Sequence, residues 1–309
     1  MLLAARLLLT VVAAASTLVP RPANLAARRW NATGHEVIAA IAWNHMTPTA
    51  RAKAVALLRN GPPQAHLGDL EPSSGAPDAR ARELFVLVST WSDLIRDRNI
   101  AQHAYDHGTW HYSDSFWKEK DGKIEPVPEM KPDLENAVER IGVMESTLAG
   151  SGPDSTRALA LAWMEHLVGD IHQPLHASAR VTPESPKGDK GGNDFKLAGN
   201  VSNLHSYWDR ILDLVDPPTG DRAADVDRWA AQIEQRLPMN GFKASELGAG
   251  VDVWAKESLD LSEHVLYPAS LAERSTPSDE YRKLADVAAE RRIALAGYRL
   301  ATALNRILR

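Results

Sequence analysis

The feature that most constrains this chain is a strongly apolar helical stretch, LALAWMEHLVGDIHQ, that contains ionisable side chains and ends at Pro174. An apolar helix has to be buried, but a charged acid is costly to bury unless it is paired or metal-bound. His166 and Asp170 are four residues apart, so both side chains project from one face and can share a cation. Pro174 breaks the helix, so His176 can approach the same place from a new direction. The stretch predicts either a buried ion pair or a metal site.

Most of the remaining chain also has helical periodicity. Helices are predicted in HEVIAAIAW, from an N-cap at Thr47 to Leu58, in KPDLENAVERIGVMESTLAG with Leu134, Val138, Ile141 and Leu148 on one face, and over 222–237, 250–266 and 278–308. Two stretches rich in Gly and Pro, Gly61 to Pro77 and Val181 to Asn203, are predicted to be loops, the second with a short hairpin at DFKLAGN. We therefore expect an all-α fold, a single mostly helical domain with long loops and one short β-hairpin.

The first 29 residues have the pattern of a signal peptide followed by a short pro-segment. Arg6 is the only charge among the first twenty residues, and the apolar run from Leu7 to Ala15 is too short to span a bilayer. An uncleaved anchor or an amphipathic arm is the alternative. Residues 30–309 are expected to form the mature domain, secreted or periplasmic, with no stable membrane association.

Composition limits how such a domain is stabilised and what it binds. The chain has no cysteine, so core packing or bound metal has to reinforce the fold. Four of its 35 basic residues lie in residues 1–29, which leaves 31 basic against 40 acidic side chains and a formal charge of −9. This charge argues against a broad basic face for nucleic acid. An anionic substrate would have to be attracted locally by bound cations.

Further candidate ligands occur along the chain. NLHSYWDR repeats the four-residue spacing with His205 and Asp209, directly after GGNDF. His35 in WNATGHE, Asp93 in WSDLIRD and His111 in WHYSD each lie beside a tryptophan or a helix start. Taken singly, each is compatible with an ordinary surface hydrogen bond or core contact.

As an ordered set, these segments resemble the zinc-dependent single-strand nucleases of fungi and plants, a family related to bacterial zinc phospholipases C. The shared pattern is W-x4-H, W-x-D, H-Y-x-D, H-x3-D-x5-H, G-G-N-D and H-x3-D, and the resemblance covers nearly all of residues 30–309. It implies the helical fold of the phospholipase C and nuclease type, with three zinc ions.

The resemblance also implies which residues bind each zinc ion. The first ion would be bound by Asp93, His111, His166 and Asp170. The second would be bound by the amino group and carbonyl of Trp30, by His35 and by Asp170, which bridges the two ions. The third would be bound by His176, His205 and Asp209, with open positions for water and substrate oxygens. Three carboxylates against three dications would leave a local charge of about +3, suited to a phosphate.

The family pattern assigns roles to a few other residues. Asp93, Arg96 and Asp170 are expected to be catalytic, with Arg96 steadying the phosphate, although Arg96 could equally form a surface ion pair. Tyr112 and Asp114 would bind a base by stacking and by hydrogen bonding, although Tyr112 could be a core residue. Asn193 would lie near the phosphate and Asp194 would orient a ligand imidazole, unless GGND is simply a turn.

These expectations point to a phosphodiesterase. It would hydrolyse single-stranded RNA and DNA to 5′-nucleotides with a metal-activated water, and it would also act as a 3′-nucleotidase. The alternatives are a zinc phospholipase C of the same fold and a non-catalytic zinc-binding protein. Nucleic acid and nucleotides are the expected substrates, and no protein partner is evident. Six histidines receive no catalytic role: His45, His66, His103, His107, His172 and His264.

Overall fold

The structure is a computed structural model that describes residues 32–309. The proposed signal peptide and Trp30 lie outside the described residues. Within the described part, the helices are α1 (Ala32–His45), α2 (Pro48–Arg59), α3 (Pro77–Val88), α4 (Trp91–Leu94), α5 (Ala137–Ala149), α6 (Asp154–His172), α7 (Leu204–Asp209), α8 (Ile211–Val215), α9 (Arg222–Arg236), α10 (Ala244–Leu247), α11 (Val251–Leu261) and α12 (Asp279–Ile307). The strands are β1 (Ser115–Lys120), β2 (Lys123–Pro126) and β3 (Ser178–Arg180). The expected mostly helical domain is confirmed.

Helix α6 is the centre of the fold. Nearly all of it from Ala158 onward is buried, and it packs against α5, α2, α12, α1 and α11. The apolar sequence of this helix requires such complete coverage, because exposing it would forfeit about 25 cal/mol for each Å² of apolar surface. As a consequence, His166 and Asp170 lie in the interior of the protein.

Capping side chains set the helix starts, and one of them corrects a prediction. The Thr47 hydroxyl accepts from Ala50 N at 3.1 Å, as expected for the N-cap of α2. Asn136 caps α5 by accepting from the backbone N of Val138, so that helix begins at Ala137. Leu134 was predicted on the helix face, but it precedes the cap and is 93% exposed. The cap therefore outweighs the helical spacing of the leucine.

The β-hairpin forms in a different place from the one predicted. β1 and β2 pair antiparallel through a two-residue turn at Asp121 and Gly122, both with positive φ. Asp-Gly favours this type I′ turn because both positions require left-handed backbone. The prediction of a hairpin at DFKLAGN is wrong, since that segment contributes only an isolated bridge between Lys196 and Asn203.

The small sheet is completed by a strand that follows the central helix. β3 pairs in parallel with β1 to give the strand order β2-β1-β3, with Ser115 opposite Ser178. The chain passes from α6 through the 3₁₀ turn Pro174–Ala177 into β3. Because β1 follows His111 and β3 follows His176, the parallel pairing brings these two histidines together.

No helix among residues 32–309 combines the length and the apolar composition needed to cross a membrane.

Candidate metal centre

The carboxylate of Asp170 is the point at which four of the predicted histidine ligands meet. Its Oδ2 lies 3.0 Å from Nδ1 of His111 and 3.1 Å from Nε2 of His166. Its Oδ1 lies 3.2 Å from Nδ1 of His176 and 3.5 Å from Nε2 of His35. All five residues are buried, with at most 2% of any of them exposed. A single interior carboxylate therefore has four imidazoles around it.

These ligands come from separate elements of the fold. His35 lies on α1 and Asp93 on α4, whereas His111 ends the 3₁₀ turn Gly108–His111. The other ligands include two pairs whose members are four residues apart on one helix. These pairs are His166 with Asp170 on α6 and His205 with Asp209 on α7. The site thus depends on long-range packing as well as on local spacing.

Three groups of side chains in the described residues could each hold a metal ion. They are His35 with His166 and Asp170; Asp93 with His111 and His166; and His176 with His205 and Asp209. The third group consists of the three residues that the family resemblance implies for the third ion. The first two groups share His166 and together contain the remaining predicted ligands of the described residues. Trp30 lies outside the described residues.

Hydrogen bonds to backbone carbonyls orient three of the imidazoles. Nδ1 of His166 lies 2.8 Å from Ser89 O, Nδ1 of His176 lies 2.8 Å from His111 O, and Nδ1 of His205 lies 2.7 Å from Gly191 O. A carbonyl oxygen can only accept, so each Nδ1 carries a proton. In the neutral ring, Nε2 then presents its lone pair to the cluster, which is the tautomer that a metal ligand needs.

The spacing of the donor atoms fits a cation. His111 Nδ1, His166 Nε2 and Asp170 Oδ2 form a triangle with sides of 3.0, 3.0 and 3.1 Å. Zinc bonds of 2.0–2.1 Å in a tetrahedron would place ligand atoms about 3.3 Å apart. Imidazole nitrogens and carboxylate oxygens are also ligand types that zinc accepts.

Several buried polar atoms of the cluster have no hydrogen-bond partner among the described residues. These atoms are both ring nitrogens of His35, Nε2 of His111 and Oδ1 of Asp93. A buried polar group without a partner costs about 1–3 kcal/mol. A neutral imidazole has one lone pair, so a cation bound by Asp93 Oδ1 and by one ring nitrogen of His35 would remove part of this cost.

Charge within the cluster is strongly coupled. Burial is the largest influence on the pKa of Asp170 and would raise it, but His166 and His176 act together to hold that pKa well below its usual range. Burial likewise works to lower the pKa of His166, but Asp170 and Asp93 raise it to about 9. Burial lowers the pKa of His111 to about 4. At neutral pH the ionised carboxylate of Asp170 therefore lies beside a neutral His111, and protonated His166 serves as its counter-ion.

Asp93 and Arg96 form the more accessible edge of the cluster. Arg96 Nη1 lies 3.9 Å from Asp93 Oδ1, and their side chains are 29% and 17% exposed. Burial would raise the pKa of Asp93, but His166 and His111 lower it. A carboxylate and a guanidinium therefore lie together at a partly exposed edge of the cluster.

Tyr112 and Asp114 lie beside the third group of ligands. Ser113, between them, donates its backbone N–H to His176 O at 2.7 Å. The Tyr112 hydroxyl donates to Asp133 Oδ2 at 3.0 Å, and the ring is partly exposed. Burial, with repulsion from Asp189, raises the pKa of Asp114 to about 7. Asp114 is therefore close enough to His176 for this imidazole to lower its pKa, whereas the Tyr112 hydroxyl is directed to Asp133.

The glycine-rich loop supports the third group through its backbone. Asn193 donates its side-chain amide to Lys190 O at 2.8 Å, and Asp194 pairs with Lys190 Nζ at 3.1 Å. The prediction that Asp194 orients a ligand imidazole is wrong, because Gly191 O contacts His205 Nδ1 instead. Gly191 has a φ of +57°, and an added Cβ would lie 2.2 Å from Leu175 O. The close approach of these two backbones requires glycine here.

The six histidines left without a role belong to none of the three groups in the described residues. His172 is an example: it faces away from the cluster and accepts a hydrogen bond from buried Arg299 at 2.9 Å. Sequence reasoning missed Gln173, next in the chain, whose side chain contacts Asp209. Its only signal was its place in the turn between two ligand segments.

Comparisons with known proteins show which sequences this chain resembles. The model of the family described as S1/P1 Nuclease matches residues 30–309. Nuclease P1 of Penicillium citrinum is 26% identical over 304 residues, covering 90% of this chain and 97% of that protein. Endonuclease 2 of Arabidopsis thaliana is 26% identical over 294 residues, covering 90% of each chain. Nuclease S1 of Aspergillus oryzae is 28% identical over 170 residues, covering 50% of this chain and 56% of that protein.

Proposed function

The chain belongs to the S1/P1 nuclease family and is a nuclease, and on this basis we propose that it hydrolyses single-stranded RNA and DNA to 5′-nucleotides with three zinc ions. We propose 3′-nucleotidase activity at the same site. The observation that carries the proposal is the meeting of three His/Asp groups around one buried carboxylate, Asp170. Family membership alone would leave the metal number and the position of the chemistry open.

The proposed zinc ligands are those implied by the family resemblance. Asp93, His111, His166 and Asp170 would bind the first ion, Trp30, His35 and Asp170 the second, and His176, His205 and Asp209 the third. When bound, zinc supplies Lewis acidity and lowers the pKa of coordinated water to near 7, which provides a nucleophile at neutral pH. The donor atoms described above suit zinc in type and in spacing.

The other residues of the chain would bind and orient the phosphodiester. Arg96, at the accessible edge beside Asp93, would neutralise charge on the phosphate through charge-assisted hydrogen bonds. Asn193 would contact the same phosphate if its amide exchanged the carbonyl of Lys190 for a phosphate oxygen. The backbone carbonyls of Ser89, His111 and Gly191 would keep three of the imidazoles oriented during the reaction.

Base binding would account for a preference for single strands. Tyr112 has a partly exposed ring on which a base would stack, and Asp114 would hydrogen-bond the edge of that base. In a duplex, the faces of a base are stacked and its pairing edge is occupied, so only an unpaired base can use both contacts. Asp114→Ala would therefore weaken action on nucleic acid and spare a small phosphodiester that has no base.

We also propose that the protein acts outside the cytoplasm. Residues 1–29 have the pattern of a signal peptide and a short pro-segment, and their removal would make Trp30 the first residue. A free amino group at Trp30 is what the second zinc ion would need. Sequencing the N-terminus of the secreted protein tests this step directly, and a start other than Trp30 would remove Trp30 from the ligand set.

The decisive experiment compares three substrates side by side. Mature wild-type protein is incubated with single-stranded DNA, RNA and phosphatidylcholine, with and without a chelator, and zinc is then added back. We expect hydrolysis of both nucleic acids, with 5′-phosphate ends, that chelator abolishes and zinc restores. Hydrolysis of the lipid alone would assign the chain a phospholipase C activity. Zinc binding without turnover on any substrate would make it a binding protein.

A further inference from the structure

In the sequence, Gln173 lies between the candidate metal ligands Asp170 and His176. It follows the end of α6 and precedes the turn Pro174–Ala177. It is completely buried. Its Nε2 donates to Asp209 Oδ1 at 2.9 Å, and its Oε1 accepts from Leu175 N at 2.6 Å. Both polar atoms of the Gln173 side chain are therefore hydrogen-bonded, Nε2 to the candidate ligand Asp209 and Oε1 to the turn Pro174–Ala177.

The contact with Asp209 determines how its carboxylate is turned. Oδ1 receives the amide of Gln173, whereas Oδ2 lies 3.5 Å from Nε2 of His205. Rotation of the carboxylate about χ2 would break this hydrogen bond and leave the buried amide of Gln173 without its partner, which is costly. Oδ2 is thus held toward His205.

The hydrogen bond from Leu175 N to Gln173 affects the position of His176, which belongs to the same metal group as His205 and Asp209. Leu175 N is in the 3₁₀ turn that presents His176, and His176 N itself donates to Gln173 O at 3.0 Å. Nδ1 of His176 is fixed by His111 O, so the position of the turn fixes the position of the ring. One glutamine therefore connects the orientation of Asp209 with the placement of His176.

We infer that Gln173 is a positioning residue for the third metal group, holding Asp209 and His176 in the arrangement that binds a divalent cation. The inference rests on the proposed function, because it assumes that His176, His205 and Asp209 bind metal. Residues that hold a metal ligand in place contribute about 10–100-fold to metal affinity when tested by mutation. We expect a loss of that size when the amide of Gln173 is removed.

A matched control is available in the same turn. Ser262 is completely buried, and its hydroxyl donates to Pro174 O at 2.8 Å. Ser262→Ala removes one buried hydrogen bond from the turn without touching a metal ligand. Gln173→Met removes the amide but keeps an unbranched side chain of similar length, so the two variants perturb the same turn and differ in their contact with Asp209.

The experiment is a zinc titration of the metal-free full mature protein against a competing chelator. Wild type, Gln173→Met, Ser262→Ala and His205→Ala are compared, and His205→Ala identifies the binding step that belongs to the third group. Thermal unfolding of each metal-free variant verifies folding. If Gln173→Met does not fold, Gln173→Asn replaces it, since its amide is one methylene too short to reach Asp209.

We expect the zinc affinity of the third group to fall about 10–100-fold in the Gln173 variant and less than about twofold in Ser262→Ala. The zinc affinities of the other two groups should stay unchanged. Equal affinities in these two variants would overturn the positioning role and leave the proposed function standing. If His205→Ala binds as many zinc ions as wild type, the third group does not bind metal, and the proposed function itself has to be revised.

Discussion

Gly169 offers a sharp test of how closely helices α1 and α6 approach at the metal centre. A Cβ added to Gly169 would lie 2.6 Å from His35 Nδ1 and 2.9 Å from His35 Cε1. Ordinary van der Waals contact at such a position begins near 3.4 Å, so the imidazole would have to move by about 0.8 Å. The ring is also stacked on His166, with centroids 3.9 Å apart. Gly169→Ala should therefore displace a proposed metal ligand.

The expected magnitude follows from two opposing effects. Overpacking of an interior site costs about 1–3 kcal/mol, and replacing glycine by alanine inside a helix returns about 0.5–1 kcal/mol. We therefore expect a net loss of about 0–2.5 kcal/mol in the free energy of unfolding of the metal-free protein. Zinc affinity should fall further, by about 10–100-fold, since a ligand has moved.

Two other helical glycines serve as controls. At Gly297 on α12, an added Cβ would lie 2.6 Å from Cγ2 of Ile41, which is an equal overlap without a metal ligand. At Gly142 on α5, nothing lies within 4 Å. Gly142→Ala should stabilise the protein by about 0.5–1 kcal/mol, and Gly297→Ala should lower stability while leaving zinc affinity unchanged.

Urea unfolding of the three metal-free variants, zinc titration and hydrolysis of single-stranded DNA measure these effects. The informative comparison is Gly169→Ala against Gly297→Ala at similar stability. If both variants bind zinc and cleave DNA equally well, the contact between His35 and α6 does not support the metal centre, and the reasoning fails.

Three further predictions use the same assays. Asp170→Asn should abolish hydrolysis of single-stranded DNA, because an amide lacks the negative charge with which Asp170 would bind the first and the second zinc ion. Normal activity of this variant would refute the bridging role of Asp170. Chelation should lower the unfolding temperature of wild type, and zinc should restore it, because metal binds only the folded chain. Burial raises the pKa of Glu165 well above its usual range, so its stabilising contribution is present below pH about 4.3 and is lost as pH rises toward the folded-state pKa. The free energy of unfolding should fall by up to about 1.4 kcal/mol per pH unit in that window, and Glu165→Gln should remove this slope.

Sequence reasoning succeeded where the relevant interaction is local. The pairs His166 with Asp170 and His205 with Asp209 lie on helices because four-residue spacing places them on one face. Thr47 caps α2 for an equally local reason. Such features depend on a few neighbouring residues, so they can be predicted from the amino-acid sequence alone.

Prediction failed where one local signal opposes another or where the partner is distant. Leu134 fits the helical spacing of α5, but the cap at Asn136 excludes it. No local pattern could indicate that Gly191 O orients His205, or that Gln173 contacts Asp209 across 36 residues. For these, only the packing of the folded chain supplies the partner.

Two carboxylates on α6 show why the metal centre is electrostatically prepared before any cation binds. Glu165 and Asp170 are both buried, yet burial raises the pKa of Glu165 while that of Asp170 is held well below its usual range. The difference lies in their neighbours, because both oxygens of Glu165 have no hydrogen-bond partner in the described residues, whereas Asp170 has four imidazoles within 3.5 Å. Burial alone would neutralise Asp170. The histidines therefore keep the shared carboxylate ionised. A cation that displaced the proton of His166 would take over this stabilisation.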